Sequence, residues 1–498
     1  MTAPEPAPHP LEALLVRGAD SRSTPVGPRR LNKYGAAPRV RRALALGSCT
    51  CSSPSARAWR AAEAARRALS EGESVAARLD AVRARLLDAF IKDERDVEVA
   101  LMPSGTDVEY VPLALALARD PRPITNVVVA PDAVGSGTPM ASAGLYFNEV
   151  TPVSKTRTRG EPLHPELAAR VEVVTIRARD ARGAPLSPEQ VDARVARAVE
   201  QAVAAGRGVV LHRVAHCKTG MRVPSGDALA DLAAGLDVPP VVVVDAAQGR
   251  VSRASIERFV SRGWLVSVTG SKFFGGPPFC GALFMPRAAI GLPEGALGRL
   301  PAWIGEFVSR DLAPPAWRAA ADWPARDETG LLLRWEAALA EIEAFFDTPL
   351  QTRERVLDAF ARLAPAALAG VEGVDVLEDV SPERTCGPLE DHQTVFSFTA
   401  RDAQGRSWSR ERLLALHHAL NTRDERAFHL GQPVWLGEEA SGPLYALRVA
   451  LGAPLLCDVA SDAALGADLD ARLGWLEGAL GALADALTQT LPHIEEPS

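Results

Sequence analysis

The stretch from Val241 to Pro286 restricts the fold more than any other part of the chain. It opens VVVVDAAQGR, an apolar run with no polar alternation that ends in an acid. That is the pattern of a strand covered on both faces in a parallel sheet. A helical segment follows, then a second apolar run, Trp264–Thr269, and then TGSKFFGGPP. Asp245 therefore closes one strand and Lys272 lies just past the next. Both can face the crevice outside the carboxyl ends of the strands, where parallel α/β sheets bind ligands.

Similar apolar runs recur before this stretch and at its end. Val97–Met102, Asn126–Ala130, Glu172–Ile176 and Gly208–His212 precede it and Gly281–Met285 lies at its end, which predicts seven strands between about residues 90 and 290. Helical stretches such as Pro188–Ala204 and Asp227–Leu236 separate them. The expected fold class is α/β, a seven-stranded mostly parallel sheet with helices on both faces. The first strand runs into Ser104-Gly105-Thr106 with a helix starting at once. Strand, small-residue turn and helix together point free backbone N–H groups and a helix dipole at an anion. The same three residues would also serve as an ordinary helix cap.

DAAQ followed by TGSKFFGG, with the SGT turn upstream, resembles the cofactor-binding core of fold-type I pyridoxal-phosphate enzymes, the aspartate aminotransferase superfamily. The resemblance implies that Lys272 holds the aldehyde cofactor as a Schiff base while Asp245 pairs with its pyridinium nitrogen. It also implies an antiparallel last strand in the large sheet. Ser104, Gly105, Thr106, Thr269 and Ser271 become the phosphate cup, and Gln248 bonds the phenolic oxygen. His216, in VAHCKTG, falls where relatives carry an asparagine near that oxygen. The family's ring-stacking residue has no evident counterpart in Ala130–Met140, where Val134 and Ser136 remain open. A class I member would carry an arginine at the position of Cys280, and the Gly-rich turn after the lysine is instead similar to the class V branch. That branch includes cysteine desulfurases, kynureninase and several aminotransferases.

The rest of the chain divides around this core. Residues 1–27, rich in Pro, Ala, Ser and Arg, read as a poorly ordered tail. Residues 28–90 form an N-terminal arm followed by a helical stretch, Ala56–Ile91, broken near Ser70–Ser74. Family arms often cross to a partner subunit and touch substrate, which makes Tyr34 and Ser48 in the Ser48–Ser53 segment candidates. A surface loop serves equally for that segment. Residues 91–327 are the expected cofactor-binding domain. Residues 328–498 are a long linking helix, Glu328–Phe346, and a smaller α+β domain. In ALRVALG, Arg448 sits among alternating apolar residues, and the resemblance makes it the grip on the substrate carboxylate, a task for which the planar guanidinium is suited. Phe428–Gly437 reads as a Gly-containing loop approaching the same cleft.

A net charge of −7 gives no electrostatic footprint for nucleic acid or an anionic membrane. No apolar run approaches the roughly 18–20 residues of a membrane span, and MTAPEPAPHP lacks the features of a secretory signal. The expected location is the cytoplasm. Six scattered cysteines make no disulfide framework, and the CxC of Cys49 and Cys51 lacks nearby ligands to complete a metal site. The resemblance implies a homodimeric enzyme that acts on an amino acid, a small-molecule substrate, through an external aldimine and a Cα carbanion, most simply an aminotransferase. The alternatives are a lyase or side-chain replacement enzyme, and a catalytically inactive binding protein of the same fold. Persulfide chemistry is disfavoured because Phe428–Leu447 contains no cysteine, with Cys386 far upstream and Cys457 beyond Arg448.

Overall fold

The computed structural model of the chain describes residues 9–92, 96–153, 155–292, 296–318, 322–377, 387–440 and 442–496. Twelve strands form two sheets: β1 (Ala43–Leu46), β2 (Val97–Met102), β3 (Ile124–Val129), β4 (Val171–Ile176), β5 (Gly208–Val214), β6 (Val241–Ala246), β7 (Leu265–Thr269), β8 (Gly281–Pro286), β9 (Val374–Val376), β10 (Val395–Ala400), β11 (Ala427–Glu439) and β12 (Gly442–Ala450). The larger sheet has the order β2-β8-β7-β6-β5-β3-β4. All its neighbours pair in parallel except β8, which is antiparallel to both β2 and β7. All seven expected strands are present, and the last is the antiparallel one.

Register places the loops. Gly281 pairs with Met102 on one side and Thr269 on the other, so the carboxyl ends of β2 and β7 flank it. Asp245 pairs with Val214 and Ser267 in mid-sheet. The turn after β2, the acid of β6 and the lysine loop after β7 therefore open on one edge, as the ligand-site rule for such sheets requires. The valines of β6 are buried, as is every residue of β8. This explains runs of apolar residues without alternation.

Helix boundaries follow their caps. Ser187 and Gln190 make a reciprocal capping box at Pro188–Ala204. Ser55 and Ser74 cap Ala56–Ser70 and Val75–Phe90, so the expected break near Ser70–Ser74 separates two helices. The linking helix is Thr329–Asp347. Among the described residues no helix is long and apolar enough to cross a membrane.

Three expectations need correction. Residues 9–27 are ordered, not a loose tail. Helix Pro10–Val16 buries Leu11 and Leu15 against Ala58, Ala62, Leu333 and Ala337. Arg334 of the linking helix donates to the carbonyls of Leu15 (3.0 Å) and Arg17 (2.9 Å). A short apolar stripe was outweighed by the surrounding Pro and Ala; residues 1–8 lie outside the described residues. Second, the arm within residues 28–90 is not irregular throughout, since its β1 joins the smaller sheet, β1-β11-β12-β10-β9, beside β11. Third, Phe428–Gly437 is part of strand β11, not a loop. Its Gln432 and Pro433 fall at a register shift between Gly431 and Val434. A proline is tolerated there because no ladder hydrogen bond is demanded of it.

Candidate active site

The converging loops enclose a cavity of about 240 Å³. Nine of the residues expected in the site line it: Tyr34, Ser104, Gly105, Thr106, Asp245, Thr269, Ser271, Lys272 and Arg448. Their hydroxyls divide into two kinds. Ser104 Oγ donates to Asp107 Oδ2 (2.6 Å) and accepts from the N–H groups of Thr106 (3.2 Å) and Asp107 (3.3 Å), so it builds the turn. Thr269 Oγ1 donates to the carbonyl of Ala247 (2.6 Å) and fixes that loop. The hydroxyls of Thr106 and Ser271 face the cavity without a hydrogen bond among the described residues. A Cβ on Gly105 would lie 2.7 Å from Thr269 Cγ2, so only glycine leaves the turn's backbone this close to β7. Burial pushes the Asp107 carboxyl up to about 7, against the bond from Ser104.

Asp245 accepts from the N–H of Ala247 (2.9 Å), which aims the carboxylate out of the strand end. Burial holds the Lys272 ammonium below the usual lysine range, and Asp245 opposes the shift. An amine easily freed of its proton opposite a carboxylate is equipped for nucleophilic attack and for carrying protons.

Three expected residues do not line the cavity. Gln248 Nε2 donates to the Cys49 carbonyl (3.1 Å), and its Oε1 accepts from Arg250 Nη1 (2.9 Å). Ser48 Oγ donates to the Leu451 carbonyl (2.9 Å) and accepts from Arg250 Nη2 (2.7 Å). His216 is buried with Nδ1 at 2.9 Å from the Cys217 carbonyl, and burial holds its imidazole well below the usual range. Gln248 and Ser48 thus hold the wall behind the cavity through Arg250. Of the two residues left open in Ala130–Met140, Ser136 lines the cavity, and Val134 offers its carbonyl to Lys218 Nζ.

Cys49 and Thr50 of the candidate Ser48–Ser53 segment and Gln432 of Phe428–Gly437 also line the cavity, together with residues not singled out: Arg22, Lys33, Lys218, Phe279 and Arg410. Arg22 comes from the segment read as a tail; it is bonded to Asp20 and lies over the Phe279 ring at 4.4 Å. Lys218 stands two residues after His216, in the same VAHCKTG turn. Tyr34 reaches the cavity within its own chain, and burial pushes its phenol up to about 12. Cys49 brings a thiol to the lining from far outside Phe428–Leu447, and it is buried beside Gly431. Cys386 lies outside the described residues. Among the described residues no cluster of His, Cys, Asp and Glu could hold a metal ion.

Charge makes this a receptor for anions. Six cationic side chains, Arg22, Lys33, Lys218, Lys272, Arg410 and Arg448, line the cavity against the one carboxylate of Asp245. Arg448 donates from Nη2 to Thr50 Oγ1 (3.3 Å) and to the carbonyl of Gln432, while its buried Nε and Nη1 have no hydrogen-bond partner among the described residues. Orphaned guanidinium donors in a buried site call for a carboxylate or phosphate. A glycine-bordered turn with free hydroxyls, a depressed lysine and an opposing acid fit a phosphorylated aldehyde with a basic ring.

No family model matches the chain, and no curated protein matches it. Solved structures do. A NifS-like protein superposes with a TM-score of 0.52 at 11% identity, over 89% of this chain and 99% of that one. Alanine–glyoxylate aminotransferase from Nostoc sp. gives 0.52 at 14% identity, over 91% and 96%. C-DES, in a variant with glycine covalently linked to its PLP cofactor, gives 0.51 at 14% identity, over 88% and 96%. At such identities the likeness establishes architecture: the chain has the fold of these proteins, the aspartate aminotransferase-like fold type I.

Proposed function

We propose that the chain is a pyridoxal-phosphate-dependent enzyme that transforms an amino acid at Cα, of aminotransferase type. The observation that carries this reading is the juxtaposition in one cavity of Lys272, Asp245 and the guanidinium nitrogens of Arg448 that have no partner among the described residues. Thr106 and Ser271, with the backbone at Gly105, would hold the phosphate. Asp245 would hold a proton on the ring nitrogen. The cofactor, when bound, supplies an aldehyde that condenses with amines and a ring that draws electrons from the substrate's Cα.

The chain's own residues do the rest. Arg448 binds the substrate carboxylate through Nε and Nη1, which fixes which bond at Cα faces the ring. Lys272 Nζ, held below the usual lysine range by burial, takes and returns the proton at substrate Cα. The packed wall of Gln248, Arg250 and Ser48 keeps water from the back of the cavity. A lyase working one carbon further out would use the same groups, and the Cys49 thiol at the lining favours keeping that reading. The proposal includes a homodimer in the cytoplasm; sedimentation reads the first directly.

The test is absorbance. Protein mixed with pyridoxal phosphate and dialysed should keep a near-visible band that Lys272→Ala abolishes. Amino acids should then bleach that band, with keto acid released and the amine retained on the protein. Release of ammonia without retained amine would identify the lyase. Failure of wild-type protein to hold the cofactor would refute the proposal.

A further inference from the structure

The cavity holds more positive charge than the proposed reaction uses. Lys272 is assigned to the cofactor. Arg22 is neutralised by Asp20, with Nε at 2.9 and 3.0 Å from its two carboxylate oxygens. Arg410 is paired with Glu411 (3.5 Å) and Lys33 is exposed. That leaves Arg448, which is buried, and Lys218, which is half-buried; among the described residues neither has an acidic partner within ion-pair distance.

Lys218 is not a free surface lysine. It sits on a tight turn after β5, where its backbone N–H donates to the Ala133 carbonyl (2.9 Å) and the Cys217 N–H to the Met221 carbonyl (2.8 Å). Its ammonium donates to the Val134 carbonyl, which leaves two of its three N–H donors toward the cavity. Burial lowers the pKa of this ammonium to about 7, and the positive charges of Arg448 and Lys272 push the same way. The groups acting on it are Arg448 on β12, Lys272 after β7, Cys217 beside it and Cys49 after β1. No carboxylate is among these leading groups, and Asp245, the acid at the lining, acts on Lys272, so the adverse charge is little compensated. One substrate carboxylate can satisfy Arg448 alone.

We propose that Lys218 receives a second anionic group, so that the substrate is an acidic α-amino acid, its α-carboxylate on Arg448 and its side-chain carboxylate on Lys218. The inference rests on the amino-acid reading above and names the substrate class within it. The site then binds any small dicarboxylate of matching length better than the corresponding monocarboxylate.

The experiment is calorimetric titration of cofactor-saturated protein with glutarate and with butyrate, repeated without cofactor. A charge-assisted hydrogen bond of this kind is worth about a ten- to hundredfold gain in affinity, which sets the expected preference for glutarate. The preference should fall as pH rises through 7, because the anion needs the protonated amine. Lys218→Met should abolish the preference and leave cofactor retention unchanged, whereas Lys218→Arg should keep it. Equal binding of the two acids by wild-type protein overturns the inference. So does a Lys218→Met variant that retains the preference, or one that sheds the cofactor, which would place Lys218 on the phosphate instead. Retained cofactor with no glutarate preference sinks this inference alone; failure of wild-type protein to retain cofactor sinks the amino-acid reading and this inference with it.

Discussion

Replacing Arg250 by methionine should destabilise the whole chain, because this one side chain ties four parts of it together. The guanidinium is fully buried. Its Nε donates to Thr394 Oγ1 (2.9 Å), Nη1 to Gln248 Oε1 (2.9 Å), and Nη2 to Ser48 Oγ (2.7 Å) and the Leu451 carbonyl (2.9 Å). The acceptors belong to the approach to β10, the loop after β6, the N-terminal segment and the end of β12. Methionine has similar reach but donates nothing, so these acceptors lose their donor in a dry setting. Bonds to a charged donor contribute about 1.5–3 kcal/mol each when taken singly. Their sum overstates the loss, since the guanidinium itself resists burial, which pushes its pKa down to about 10. Removing one member of a buried charged network costs roughly 3–5 kcal/mol. An unfolding entropy near 2.1 cal/mol/K per residue gives about 1 kcal/mol/K for a chain of 498 residues. Tm should therefore fall by about 3–5 °C in differential scanning calorimetry of the cofactor-free protein. A fall of less than about 1 °C would show that the tie carries no net stability and would refute the account of why Gln248 and Ser48 face away from the cavity.

Other perturbations probe separate parts of the structure. The Asp107 carboxyl, pushed by burial up to about 7, is raised above its unfolded value, so its contribution to stability is present in acid and lost as pH rises through 7. Asp107→Asn should accordingly gain in Tm relative to wild type between pH 5 and pH 8; a constant difference would contradict the shift. In Gly270→Ala the new Cβ would lie 2.4 Å from Ala338 Cβ and 3.0 Å from Cys280 Sγ. Overpacking of this kind costs about 1–3 kcal/mol, measurable as a lowered denaturation midpoint and relieved in part by Ala338→Gly. Arg448→Gln should weaken binding of amino-acid substrates by at least about thirtyfold, read from titration of the near-visible band, with cofactor affinity unchanged.

Much of this was legible in the sequence because the large sheet is buried on both faces. Burial forces uninterrupted apolar runs, and each such run ends where the chain turns toward ligand, so Asp245, Lys272 and the Ser104–Thr106 turn stood out together. What escaped notice depends on long-range packing. Gln248 belongs to the motif, yet its amide is claimed by Arg250 and the Cys49 carbonyl, partners that only the fold brings near. Arg22 reaches the site because a two-leucine stripe in Pro10–Val16 anchors the N-terminal segment on the linking helix, a signal too short to rise above its Pro- and Ala-rich surroundings. Lys218 differs from any loop lysine by being half-buried beside Arg448 and Lys272, and that is not written in seven residues of turn. In β11 the Gly and Pro that suggested a loop mark a register shift inside a strand.

Reduction of the cofactor-loaded protein with borohydride, followed by peptide mapping, tests the central claim most directly. Two lysines, Lys272 and Lys218, stand in the body of the cavity, with Lys33 exposed at its lining. The account predicts a pyridoxyl group fixed on Lys272; a group on Lys218 or Lys33, or on none of the three, would contradict it.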